Sequence, residues 1–228
     1  MQLNDLVIVP IGTLFVGAAL QAVCSRLLSA KAKGWLAFGT SLVALAAVLV
    51  MWPSVYHGHA LDLTLPGWHG PLALTFHVDG LSQLFALMGA GIGGAILLYS
   101  IGYMAEDRAA TRFYIFMQVF IAGLIALVYA SNLLLMYGCW ELIGLCSFML
   151  VGFWYTQREA ASGARKVLVM THIAGYALLA AEISHRTVVR GMRRARPPSR
   201  SMSRVPVSCC TVPAPRNSPP LNRPWLRQ

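Results

Sequence analysis

The sequence predicts an all-α protein, a polytopic bundle of transmembrane helices, and three observations lead to this fold class. Hydrophobic residues make up 57% of the 228 residues and charged residues only 11%, whereas soluble domains carry about 25% charged residues. Five apolar runs are long enough to cross the hydrocarbon core of a bilayer, which is roughly 30 Å thick. The basic residues between these runs occupy alternate loops. We therefore expect five transmembrane helices, a candidate sixth, an external loop or hairpin, and a disordered basic C-terminal tail.

The apolar runs follow one another along the first two thirds of the chain. They are Leu6–Leu28, Gly34–Trp52, Leu81–Met104, Phe113–Ala130 and Leu133–Phe153. The first run is preceded by Asp5 rather than by a basic region and is too long for a signal peptide, so we expect an uncleaved helix. A sixth run, Val167–Ile183, is shorter and contains Glu182, and the pattern leaves its insertion open.

The basic residues predict the orientation of the helices. Each Lys or Arg among residues 1–182 falls into one of three loops, with Arg26, Lys31 and Lys33 in the first, Arg108 and Arg112 in the second, and Arg158, Arg165 and Lys166 in the third. Cytoplasmic loops of membrane proteins carry an excess of Lys and Arg. We therefore expect these loops in the cytoplasm and the N-terminus outside.

Residues 53–80 form an external loop in this topology. Apolar and polar residues alternate over Leu61–Leu65, and Pro66-Gly67 follows, which predicts a short β-hairpin on the membrane face. His57 and His59 have the spacing of a metal-site fragment, but no cysteine or carboxylate completes a set. We therefore expect a solvated loop rather than a metal site.

The composition changes abruptly after Glu182. Residues 183–228 hold ten Arg, eight of the twelve Pro, and neither Lys nor an acidic residue. Such a segment buries too little apolar surface to offset its ordering entropy, so we expect disorder. It is a tail for anionic phospholipid, a tail for nucleic acid, or the product of a reading-frame shift that cut a longer membrane protein short. Arginine in excess over lysine, with Pro and Ser, favours the frame shift, and the neutral body disfavours nucleic acid.

A single acidic residue lies within the fifth apolar run. Glu141 is the only charged residue of Leu133–Phe153. Insertion scales penalise an acidic side chain near mid-span by about 2.5–3.5 kcal/mol, so such a residue indicates a proton or ion site. The alternative is a glutamate that packs on a polar neighbour for helix association. Cys139 and Cys146, on one face of the same helix, are expected to pack as small apolar residues.

Three stretches carry a resemblance to a known family. From Phe76 the chain reads FHVDGLSQLFALM, later RFYIFMQVFIAGLIALVYASNLLLMYGCWELIGLCSFMLVGFWY, and then GARKVLVMTHIAGYALLA. This resembles the proton-antiporter-like membrane subunits of respiratory NADH-quinone oxidoreductase (complex I, the chain 5 or L subunit), Mrp-type antiporters (the A subunit) and hydrogenase-4-like complexes. The resemblance covers roughly residues 1–181, is strongest over 79–176, and is most specific at Trp140-Glu141-Leu142.

The resemblance assigns a role to Glu141 and a candidate role to His172. Glu141 matches the glutamate that these subunits use in proton translocation, where it pairs with a lysine on the seventh helix. Complex I subunits show Thr-Arg-x-Gly-Asp where this chain has Thr171-His172-Ile173-Ala174-Gly175. This departure favours the Mrp or hydrogenase-like branch, or a divergent L-type subunit. His172 is either a proton relay beside Glu141 or a histidine hydrogen-bonded within the bundle.

Three other residues match the family pattern. Asp79 matches its Asp-Gly-(Leu/Ile)-Ser at the entrance of the third helix, where a simple helix cap is the alternative. Arg165 and Lys166 match the basic start of the sixth helix, where a cytoplasmic anchor is the simpler role. The resemblance thus divides the chain into helices one and two (1–52), the external loop (53–80), an antiporter-like module (81–182) and the tail (183–228).

The resemblance also implies what surrounds the chain. We expect a multi-pass protein of a bacterial inner membrane with other membrane subunits as partners. The chain is expected to hold no cofactor, since it has no cysteine cluster, Rossmann glycine fingerprint or haem ligand pair. Relatives carry many more helices and their essential lysines lie beyond the sixth, so we expect an N-terminal module without transport activity of its own. The alternative is a non-transporting assembly or scaffold protein that binds anionic lipid through its arginine tail.

Overall fold

The computed structural model describes residues 3–57, 60–65, 74–107 and 109–195. A 3-10 turn, Leu3–Ile8, leads into the first helix, and a second such turn, Cys24–Arg26, follows it. The elements are α1 Val9–Val23, α2 Ala30–Tyr56, β1 Leu61–Thr64, β2 Thr75–Val78, α3 Gly80–Tyr103, α4 Ala110–Tyr129, α5 Leu133–Val151 and α6 Arg158–Ala195. Five helical segments of the described residues are long and apolar enough to cross a membrane: Asp5–Arg26, Ala30–Tyr56, Gly80–Tyr103, Ala110–Tyr129 and Leu133–Val151. The predicted fold class is confirmed.

Helix α6 is longer than the sequence predicted. It runs from Arg158 to Ala195, so residues 183–195, predicted to be disordered, are helical. Once a helix has formed, each further residue adds one hydrogen bond, and residues 183–195 contain no proline to stop this. Pro197 is the first residue past them that cannot continue a helix. Membrane insertion of residues 167–183 stays a prediction, and the rest of the tail, 196–228, lies outside the described residues.

Two compact units divide the chain, residues 1–184 and residues 185–228. In the first, α1 packs against α2 and α4, α2 against α3, and α4 against α3 and α5. Helix α4 is thus the central element, and its Tyr114, Ile125 and Tyr129 are fully buried. A Cβ atom added at Gly93 of α3 would lie 2.6 Å from Ile121 Cδ1. Small residues of this kind let helices approach closely in lipid, where the hydrophobic effect does not drive them together.

Several buried polar side chains of this unit hydrogen-bond to one another or to the backbone. The Gln83 amide donates to the Val48 carbonyl at 2.5 Å, and its oxygen accepts the Tyr129 hydroxyl at 2.9 Å. Gln118 of α4 donates to Thr40 Oγ1 of α2 at 2.6 Å. These bonds connect α2, α3 and α4 and give buried polar groups partners within the protein.

The predicted β-hairpin is confirmed. Strands β1 and β2 are antiparallel, with Leu61 opposite Val78 and Thr64 opposite Thr75; the predicted turn at residues 66–67 lies outside the described residues. The Ser131 N–H donates to the Thr75 carbonyl at 3.0 Å, and the two hydroxyl oxygens lie 2.7 Å apart. The next residue, Asn132, caps α5 by accepting the Leu134 N–H at 3.2 Å. The hairpin therefore holds the start of α5.

Asp79 caps the N-terminus of α3. Its carboxylate accepts the Ser82 N–H at 2.8 Å, while Ser82 Oγ accepts the Asp79 N–H at 2.8 Å, and together these bonds form a capping box. The bond from the Ser82 N–H, then that from its hydroxyl, lowers the pKa of Asp79 below its ordinary 3.8, and nearby His77 lowers it further. The helix-cap alternative of the sequence is what this geometry supports.

We expect Asp79→Ala to lower the free energy of unfolding by about 1 kcal/mol, because the Ser82 N–H loses its acceptor. Asp79→Asn is the matched control, since asparagine caps helices about as well as aspartate. The pKa of Asp79 is lowered by folding, so its carboxylate stabilises the fold above pH 3.8 and this contribution disappears as the pH falls through the lowered pKa. Thermal unfolding in detergent at neutral and acidic pH measures both effects. Equal stability of the two variants at neutral pH would contradict the cap.

Candidate functional site: an acid–imidazole pair between two helices

The site is formed where α6 crosses α5. A Cβ atom added at Gly144 would lie 2.5 Å from Thr171 Cγ2, and one added at Gly152 would lie 3.0 Å from the Ala164 Cβ. The Trp140 indole N–H of α5 donates to the Thr171 carbonyl of α6 at 3.3 Å. Glycines on α5 therefore allow the close approach that brings side chains of α6 to Glu141.

Glu141 and His172 meet across this interface. Glu141 Oε2 lies 3.2 Å from His172 Nε2, and the two side chains are 22% and 33% exposed. The predicted pair of neighbours is present, so His172 is not held only by bonds within its own helix. A half-buried carboxyl group in a span has found an ionisable partner, as buried charges require.

The backbone determines how protons are arranged in this pair. His172 Nδ1 lies 2.9 Å from the Leu168 carbonyl oxygen, one helical turn earlier. A carbonyl oxygen only accepts, so Nδ1 carries a hydrogen in this bond. The contact between Nε2 and Oε2 then holds one further proton, either on a carboxylic acid that donates to neutral imidazole or on an imidazolium that donates to carboxylate. One proton is thus shared between a carboxyl oxygen and an imidazole nitrogen that lie 3.2 Å apart.

The second carboxyl oxygen faces a glycine. A Cβ atom added at Gly175 would lie 2.5 Å from Glu141 Oε1. Oε1 is buried and has no hydrogen bond of good geometry from the described residues, although the Tyr137 hydroxyl one turn earlier interacts with the carboxyl group. Tyr176 lies on the other side, with its ring 6.3 Å from that of His172.

Sequence reasoning missed Gly175, Tyr137 and Tyr176 as parts of the site. Their spacing carried a usable signal, because residues three or four apart share a helix face. Tyr137 is four residues before Glu141, and Gly175 and Tyr176 are three and four after His172. Only the rotation of the two helices, which packing sets, decides that these faces meet.

The other predicted site residues lie apart from the pair. Asp79 caps α3, and His77 contacts Asp62 across the hairpin with 2.6 Å between Nδ1 and Oδ1. Arg165 and Lys166 are exposed on α6. No hydrogen bond or ion pair among the described residues joins Asp79, Arg165 or Lys166 to the pair.

No group of three or more His, Cys, Asp or Glu side chains that could hold a metal is found among the described residues. His57 belongs to the described residues, whereas His59 lies outside them. Cys139 and Cys146 are both buried on α5, in agreement with the packing role predicted for them.

Comparison with known proteins gives two family matches. Residues 69–114 match the N-terminus of NADH-ubiquinone oxidoreductase (complex I) chain 5, and residues 130–185 match the transmembrane region of the NADH:quinone oxidoreductase/Mrp antiporter family. NADH-quinone oxidoreductase subunit L of Mycobacterium tuberculosis is 44% identical over 96 residues, 42% of this chain and 15% of that subunit. Na(+)/H(+) antiporter subunit A1 of Staphylococcus aureus is 31% identical over 148 residues, 64% of this chain and 18% of that subunit. The chain thus spans less than a quarter of the length of these relatives.

Two solved structures share the fold. The Mrp complex from Dietzia sp. DQ12-45-1b matches 77% of this chain and 19% of the chain compared, with a TM-score of 0.66 and 23% identity. The membrane-bound sulfane sulfur reductase, an archaeal respiratory membrane complex, matches 76% of this chain and 26% of the other, with a TM-score of 0.64 and 21% identity. Both likenesses concern the arrangement of helices.

We expect Gly175→Ala to displace the Glu141 carboxyl group from His172, because the new methyl group would occupy the space beside Oε1 and a side-chain end yields more easily than a helix. The measurement is the carboxyl stretching band of Glu141 in infrared difference spectra between acidic and alkaline pH, which should change frequency. Gly163→Ala on the same helix is the control, since its Cβ would meet Val151 at an ordinary 3.7 Å. Identical spectra for the two variants would show that Gly175 does not shape the pair.

Proposed function

We propose that this chain, which belongs to the proton-antiporter-like family of membrane subunits through residues 69–114 and 130–185, is a membrane subunit of an NADH-quinone oxidoreductase or Mrp-type antiporter complex. In that complex Glu141 is the proton-carrying group and His172 its relay. The observation that carries the proposal is the 3.2 Å contact between Glu141 Oε2 and His172 Nε2, two half-buried side chains where α6 meets α5. The N-terminus faces the outside of a bacterial inner membrane and the three basic loops face the cytoplasm.

The relay follows from the two sides of the carboxyl group. Oε2 faces His172, Oε1 faces Gly175, and the Tyr137 hydroxyl interacts with the carboxyl group. The acid gives its Oε2 proton to His172 Nε2, which leaves carboxylate and imidazolium with no net charge. The carboxylate then takes up a new proton at Oε1, the imidazolium releases one to the next group of the path, and rotation of the carboxyl group resets the site. The same chemistry serves either kind of complex.

Net transport needs a further group that changes the charge beside Glu141. The family resemblance implies a lysine on a seventh helix for this role, but the three lysines of the whole chain are Lys31, Lys33 and Lys166. None of them contacts Glu141. The chain by itself therefore holds a proton site without a lysine beside it to change its proton affinity. Partner subunits or further helices complete the path.

Infrared difference spectroscopy of the full chain in lipid tests the proton site directly. We expect a carboxyl band that changes between acidic and alkaline pH, disappears in Glu141→Gln and shifts in His172→Gln. Glu159→Gln, which removes an exposed carboxylate at the start of α6, is the control and should leave this band in place. A spectrum in which Glu141→Gln changes no band would contradict the proposal. If a chain without this carboxyl band still co-purifies with complex subunits, it acts as a scaffold instead.

Vesicles that contain only this chain test whether the chain transports protons without partner subunits. Because no lysine pairs with Glu141, we expect proton uptake after a pH jump to equal that of protein-free vesicles. A pH-sensitive dye inside the vesicles reports the uptake. Robust uptake that Glu141→Gln abolishes would contradict the prediction that the chain does not transport protons alone.

A further inference from the structure

We propose that the cavity between the N-terminal end of α4, the C-terminal end of α5 and the first turns of α6 binds the phosphate group of an anionic membrane phospholipid. Arg112 and Arg165 hold the phosphate, and Phe148 and Met149 receive the start of an acyl chain. The cavity measures about 480 Å³ and is lined by these four residues together with Tyr155 and small residues of α5 and α6. The space is many times the roughly 30 Å³ that a water molecule occupies in the liquid.

Arg112 is a half-buried cation whose hydrogen bonds are incomplete. One terminal nitrogen donates to the Phe153 carbonyl at 2.5 Å, and the guanidinium lies 5.0 Å from the Phe153 ring centroid and 5.5 Å from that of Tyr155. These contacts fix the plane of the guanidinium. Its Nε, however, is buried and has no hydrogen-bond partner among the described residues. A buried donor without an acceptor leaves this charged group poorly satisfied, which favours an anion in the cavity that Arg112 lines.

The acceptor must bring negative charge of its own. No carboxylate of the described residues lies within ion-pair distance of Arg112 or Arg165. Asp107, close to Arg112 in sequence, uses Oδ1 to accept the Ala109 N–H at 2.7 Å, and Glu159 of α6 is exposed. Two arginines therefore share one cavity without a counter-charge. The planar N–H groups of a guanidinium match phosphate oxygens, which makes phosphate the fitting class of anion.

The position of the cavity favours a lipid over a soluble anion. It lies at the helix ends that carry the basic loops, the level at which headgroups sit and at which basic pockets bind anionic lipids. Trp154 and Tyr155 are 47% and 66% exposed beside it, as in the aromatic belts of membrane interfaces. The lining continues along α5 into the span through Phe148 and Met149, which gives an acyl chain an apolar path. A zwitterionic choline headgroup fits less well, because no carboxylate lines the cavity to receive its cation.

Native mass spectrometry of the full chain, extracted from vesicles with equal amounts of phosphatidylglycerol and phosphatidylcholine, tests the site. We expect one phosphatidylglycerol to stay bound in preference to phosphatidylcholine. Arg165→Gln should lower this retention about tenfold, the loss that one charge-assisted hydrogen bond produces. Arg158→Gln removes the same charge from the same loop outside the cavity and should retain the lipid like the parent chain.

Two further variants keep the result interpretable. Arg112→Lys preserves the charge and loses the planar fork, so it should also lose retention while its circular dichroism remains that of a folded bundle. Glu141→Gln should retain phosphatidylglycerol fully, which separates this site from the proton site. Equal retention of both lipids, equal loss in Arg158→Gln and Arg165→Gln, or displacement of the lipid by millimolar inorganic phosphate would overturn the proposal.

Discussion

The absence of water within a bilayer is the constraint on which the rest of this structure depends. Polar side chains inside the helices are stabilised by partners within the protein, and several such contacts organise the bundle. Gln83 bonds to Val48 and Tyr129, Gln118 bonds to Thr40, and Glu141 meets His172. The first two contacts are neutral and connect helices. The third joins two groups that both gain and lose protons, which is why it is the one we connect with function.

The hairpin and the glycines act on this pair from a distance. Ser131 donates its N–H to the Thr75 carbonyl, and the next residue caps the helix that carries Glu141. Gly144 and Gly175 then let α6 approach that helix until the imidazole reaches the carboxyl group. The hairpin and the helix interface thus determine the same distance, one by placing the start of α5 and the other by placing α6 beside it.

Much of this arrangement was predictable, because it depends on local patterns. Apolar runs indicated the five spans, alternation over Leu61–Leu65 indicated the hairpin, and the motif at Asp79 contained its own cap. Glu141 was identifiable from the sequence because an acidic residue in an apolar run is costly to insert and therefore indicates a function. The resemblance read at Trp140-Glu141-Leu142 agrees with the family match over residues 130–185. The contact of Glu141 with Gly175 was not predictable, since it depends on how far two helices rotate about their axes, which packing decides. The extension of α6 was missed because composition indicates only whether a segment can bury apolar surface. A helix that has already formed can continue through a polar segment as long as no proline interrupts it.

The pairing of α1 with α4 has a consequence for biosynthesis. Helices leave the ribosome in chain order, so α1 can pair with α2 well before α4, the other helix on which it packs, exists. Until α4 emerges, the Gly17 face of α1 has Thr40 of α2 beside it but lacks Gln118, which completes this interface. The first two helices thus form a partial interface, and the bundle closes only after the fourth hydrophobic segment is released.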